Sequence, residues 1–166
     1  LRRFGRVTVT EEIFRYDAYA KSCEATVVSV DEAGIELNRS IFYYESGGQP
    51  GDTGKLVMAD GHTVEIADTQ MDRKSGRHLH IPAIETPILV PGDTVTATID
   101  WERRHRLMRM HTLLHLICAT VDAEITGCQI GPEKSRIDLS TDGKPDKEAI
   151  QAKIDALVAK DLPTAA

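Results

Sequence analysis

His111 and His115 stand four residues apart in DWERRHRLMRMHTLLHLICATVDA, residues Asp100 to Ala123. On a helix that step puts both imidazoles on one face, one turn apart, close enough to share a metal ion, and neutral imidazole is a good ligand for zinc. The same pair without a metal would be a solvated or structural feature of the helix. Two ligands do not make a stable site, so a zinc reading requires others. Cys118 lies seven residues after His111 on the same face. At about 1.5 Å rise per residue it is roughly 10 Å further along the axis, too far to join His111, and it reads as a small buried apolar residue. Cys128 follows Gly127 just past the helix, where it either folds back as a ligand or packs as a plain thiol. His62, His78, His80 and His105 have no partner at ligand spacing and are expected on the surface.

A second segment has unusual composition. Glu45 to Gly54, ESGGQPGDTG, holds four glycines and a proline in ten residues. Gly and Pro commonly punctuate turns, but adjacent Gly47 and Gly48 also let the backbone come close to a ligand, with Gln49 offering a side-chain amide. Two basic clusters are present, one at Arg2, Arg3 and Arg6, the other at Arg103, Arg104, Arg106 and Arg109. Each suits phosphate contacts or a solvated face. Arg109 is counted with Gly47, Gly48 and Gln49 as a candidate substrate contact.

These residues need elements to position them. Asp100 can cap a helix whose Leu107, Met110, Leu114, Ile117 and Val121 recur at three- and four-residue steps, with no Pro or Gly inside. Before it, short β-branched runs predict strands at Arg6 to Thr10, Ser22 to Val30, Ile35 to Asn38, Ser40 to Tyr44, Lys55 to Met58, His62 to Ala67, His78 to Ile84, Ile88 to Val90 and Thr94 to Ile99. Asp68 to Arg77 reads as a polar connection. Short strands at regular spacing predict a small β-barrel over residues 1–99. After the histidine helix, Arg136 to Leu139 reads as a strand. A second helix follows at about Asp146 to Lys160, with Ile150, Ile154, Leu157 and Val158 as its core stripe.

Composition bounds the function classes. At 166 residues, 41% hydrophobic and 28% charged, the chain can bury a core. No apolar run reaches the roughly 18 residues that span a bilayer, and LRRFGRVTVTEEIF lacks the apolar centre of a signal peptide. No membrane partner and a cytoplasmic location are expected. Three widely spaced cysteines without CxxC argue for free thiols. A net charge of −6 has the wrong sign for coating nucleic acid, so DNA is not expected as a partner and RNA would be met by a local basic patch.

FYYESGGQPGDTG (Phe42 to Gly54), DWERRHRLMRMHTLLHLI (Asp100 to Ile117) and GCQIGPEKSRIDL (Gly127 to Leu139) follow one another as in the editing domain of alanyl-tRNA synthetase. They resemble equally its freestanding relatives, the alanyl-tRNA deacylases. The resemblance implies an α+β chain, a small β-barrel over residues 1–99 followed by an α+β editing domain over 100–166 like that of threonyl-tRNA synthetase. It implies hydrolysis of the ester joining serine or glycine to tRNA(Ala), with mischarged tRNA as partner and zinc as cofactor. His111 and His115 match the family's two helical zinc ligands. The family completes the set with a Cys-x-x-x-His motif further along, so the expectation is that residues 100–166 are a truncated part of that domain and bind metal weakly by themselves. Leu114 stands where many members carry threonine, whose hydroxyl can contact the amino acid. Two other readings stay open: a tRNA-binding module of this fold without catalytic metal, and a metal-dependent hydrolase of another small ester or amide.

Overall fold

The computed structural model describes residues 9–84, 88–141 and 143–163. The cluster Arg2, Arg3 and Arg6, the start of the first expected strand, and part of the Pro-containing loop before Ile88 lie outside them. The chain divides into two compact units, Leu1–Arg104 and His105–Ala166.

The first unit begins with β1 (Glu11–Glu12) and a 3-10 turn at Ile13–Arg15. There follow β2 (Ser22–Asp31), β3 (Gly34–Leu37), β4 (Arg39–Ser40), β5 (Gly54–Met58), β6 (Thr63–Asp72), β7 (Arg77–Pro82) and β8 (Thr94–Ile99). Six of them close a barrel in the order β2-β3-β7-β6-β5-β8. Alternation explains the closure: Ala25, Val27, Ile35, Leu37, Leu56, Val64, Ile66, Val95, Ala97 and Ile99 are all buried in one cluster. Each large aliphatic side chain fully buried there contributes about 1.5–3 kcal/mol.

Several sequence expectations are corrected. Ser40 to Tyr44 is not a strand beyond β4, because the Ser40 hydroxyl accepts the Phe42 N–H at 3.0 Å and turns the backbone off the ladder. Ile41 and Phe42 are then buried with the barrel core. Asp68 to Asp72 is not a connection. These residues extend β6 past a register shift at Ile66/Asp68 and pair with β7 down to Asp72↔Arg77. Ile88 to Val90 forms no strand; Leu89 alone is buried there, while Ile88 and Val90 are exposed.

Helix α1 (Trp101–Thr120), whose first turn belongs to the first unit and whose remainder belongs to the second, starts where Asp100 Oδ1 accepts the Arg103 N–H at 3.1 Å, the expected cap. Its Leu107 and Leu114 pack with Ile130, flanked by Met110, Ile117 and Ile137. Antiparallel β9 (Glu124–Gln129) and β10 (Arg136–Ser140) follow. β9 was not expected, and its pattern of almost wholly exposed residues explains why: one unburied strand carries no alternation. The last helix, α2 (Lys147–Val158), is capped by Asp146, whose side chain accepts the Ala149 N–H. Ile154 is buried, but Val158 is 62% exposed and is not core.

Candidate functional site

The pitch of α1 delivers the pairing expected of His111 and His115. Their rings stack with centroids 5.0 Å apart and planes 15° from parallel. His111 is half-buried and His115 exposed. Burial first, and the neighbouring His115 second, push the His111 pKa below its ordinary value. Both effects favour the neutral imidazole, the form that can ligate a metal. Two near-parallel imidazoles one turn apart fit zinc as two of its usual four ligands. Among the described residues, no three or more His, Cys, Asp and Glu side chains come together as a ligand group, so neither Cys118 nor Cys128 joins the pair. Leu114 points to the core rather than to the histidine face, which accounts for an apolar residue there.

The four helix arginines divide. Arg106 and Arg109 are exposed. Arg104 is neither solvated nor open to a phosphate: it is 3% exposed and ion-paired with Asp52, itself 1% exposed. Asp52 Oδ2 also accepts the Tyr43 N–H at 2.8 Å, and the Arg104 guanidinium lies 5.3 Å from the Tyr43 ring. Arg103 donates to the Gly51 carbonyl at 2.8 Å. The first turn of α1 is thereby fixed to the glycine-bearing loop.

Within that loop, Gly47 and Gly48 have φ of 58° and 77°. Ser46 and Gln49 exchange backbone hydrogen bonds at 3.1 and 3.0 Å across them, a two-residue turn needing left-handed backbone at both centres. Both glycines are exposed, and they line a cavity of about 320 Å³, whereas Gln49 is only 3% exposed. Gly47→Ala is expected to cost about 1 kcal/mol, because a Cβ disfavours that backbone region. Chemical denaturation checks this; an unchanged midpoint would mean that the turn does not require glycine. Gly51 serves differently, since a Cβ there would collide with the Thr69 carbonyl.

His78 and His80 are not surface residues. They are 1% and 0% exposed, with rings stacked 4.9 Å apart. Register places His80 opposite Ile35 and Thr69, on the barrel's inner side. The His80 Nδ1–H donates to the Ile35 carbonyl at 3.0 Å; Nε2 lies 2.8 Å from the Ser40 hydroxyl, whose own proton is available because its oxygen already accepts from Phe42. The ring is therefore neutral. Burial lowers the His80 pKa to about 4 and that of His78 to about 2. With folded pKa values below the unfolded 6.5, these rings stabilise the fold above that value. Stability is expected to fall steadily as pH drops from about 6.5 to 4, and His80→Gln should flatten the slope in urea titrations across that range. An identical slope in the variant would refute it.

With this geometry in view, comparison with known proteins is decisive. The family model described as tRNA synthetases class II (A) matches residues 4–103. The chain belongs to the class II (A) tRNA synthetase family. It is 44% identical over 140 residues to a Methanosarcina mazei protein named alanyl-tRNA editing protein AlaX-M, covering 80% of this chain and 56% of that one. A Saccharolobus solfataricus protein of the same name is 31% identical over 158 residues, covering 93% and 66%. An alanine–tRNA ligase of Sulfurisphaera tokodaii is 34% identical over 148 residues, covering 86% of this chain and 16% of the ligase. The chain thus spans little more than half of the Methanosarcina relative. Freestanding and synthetase-embedded relatives both match, as the three motifs implied.

Proposed function

We propose that this class II (A) chain is the hydrolytic part of a trans-editing enzyme that deacylates tRNA(Ala) mischarged with serine or glycine, with a zinc ion held by His111 and His115. The observation that carries the proposal is the one-turn histidine pair on α1 in a chain that resembles proteins named for alanyl-tRNA editing. A zinc ion, if held by His111 and His115, would supply Lewis acidity toward the ester. An aminoacyl ester is already activated, so no covalent nucleophile is needed. Burial favours the neutral form of His111, and Leu114 anchors the helix in the apolar cluster. Gly47 and Gly48 offer backbone to the substrate without side chains in the way, and buried Gln49 closes the turn between them. Exposed Arg109 is available to a tRNA phosphate.

Zinc titration tests the metal assignment. The chain is expected to take up zinc weakly through the pair, since no third ligand joins it among the described residues. His111→Ala and His115→Ala should each weaken uptake by more than the roughly 10–100-fold seen when a metal site loses an outer-shell partner. Undiminished affinity in both variants would remove the pair from the site.

A further inference from the structure

We propose that His78 is an acid-sensitive latch: a proton on its ring releases the Ile13–Arg15 turn together with Tyr43 and Tyr44 from the barrel, and so links acidity to the order of the glycine-bearing loop. The ring is 1% exposed, and neither of its nitrogens has a hydrogen-bond partner among the described residues. Leaving both unmet costs free energy that hydration would recover, so His78 gains from any opening that admits water. Aromatic rings keep the water out. Phe14 and Tyr44 stand edge-on to His78 at 6.1 and 5.4 Å, and His80 stacks on it at 4.9 Å. Arg15 ties the two covering segments together, donating to the Tyr44 hydroxyl at 2.6 Å with its guanidinium 5.6 Å from the Phe14 ring centroid. Tyr44 runs directly into Glu45, whose N–H donates to the Thr69 carbonyl at 3.0 Å, so the cover and the start of the glycine turn are one stretch of chain.

The groups facing this ring disfavour a cation. Burial opposes the proton most, then His80 and Arg15, while the Phe42 backbone favours it without completing a hydrogen bond. The nearby carboxylates are engaged, Glu12 with Arg15 and Asp52 with Arg104 and the Tyr43 N–H. The Tyr43 hydroxyl donates to the Ser46 carbonyl, and β6 sets uncharged Met71 opposite His78. His80, by contrast, has both nitrogens bonded and needs no water. Closed, His78 binds a proton only near pH 2; opened, it returns to the ordinary 6.5, so the open population grows as pH falls below that value.

Hydrogen exchange on the full chain tests the latch. The Tyr16 and Asp17 amides, both bonded to the Ile13 carbonyl, and the Glu45 amide report the cover; β2 amides facing β8 report the barrel. After correction for intrinsic rates, opening at the cover is expected to rise about 25-fold from about pH 7 to about pH 5, the ratio for one imidazole set free, while β2 stays far better protected. His78→Phe keeps a ring with no nitrogen to protonate and should hold cover exchange constant across the range; His78→Leu serves the same purpose if that variant does not fold. Constant cover protection in wild type, a rise that persists in either variant, or cover and β2 amides equally protected would each overturn the proposal. None of these outcomes depends on whether the chain deacylates tRNA.

Discussion

Arg104→Ala is expected to destabilise the barrel unit by about 3–5 kcal/mol, the loss typical when one partner of a buried ion pair is removed. Arg104 and Asp52 are 3% and 1% exposed, so the variant leaves a carboxylate inside with only the Tyr43 N–H to satisfy it. The loop loses its Arg104 tie to the first turn of α1 at the same time, while the Arg103 bond to the Gly51 carbonyl stays in place. Burial already raises the Asp52 pKa against the opposing pull of Arg104, which shows how much the guanidinium must offset. Replacing both members with apolar residues of similar size should recover much of the loss, because no buried charge then remains. Urea denaturation of wild type, Arg104→Ala and the double variant provides the comparison. A single-variant loss under about 1 kcal/mol would place the pair with surface ion pairs.

The second large effect is on catalysis. Hydrolysis of seryl-tRNA(Ala) is expected to fall at least about a hundredfold in His111→Ala and in His115→Ala, a loss of the order found when a single group that stabilises developing charge is removed. Their combined variant should be little worse than either, since one ligand's loss already empties a shared site. His111 is half-buried and His115 exposed, and neither belongs to the apolar cluster of α1, so the melting temperature should change little. A loss of activity that tracked a loss of stability would instead make the pair structural.

What the sequence disclosed followed from local chemistry. Asp100 as cap and the stepped Leu107 and Leu114 specify α1, and with it the histidine pairing, without reference to any other element. β2 and β8 were legible because their alternation matches a barrel with one buried face. What it concealed depends on distant partners. Asp52 and Arg104 are separated by 52 positions, and nothing in a run of helix arginines distinguishes the one that turns inward. His78 and His80 are buried because register sets them against Met71, Ile35 and Thr69; an alternating His-Leu-His gives no sign of which face is inner. Gly51 reads as a turn residue, but it is required by the backbone of Thr69.

Zinc-dependent editing is tested most directly by the rate at which the chain hydrolyses seryl- or glycyl-tRNA(Ala), measured at saturating zinc, after chelation and after zinc is restored. Rapid hydrolysis of the mischarged tRNA, lost on chelation and regained with zinc, is the expected result, with His111→Ala inactive throughout. Hydrolysis no faster than the spontaneous reaction, or a rate that chelation and the histidine substitutions leave unchanged, would contradict it.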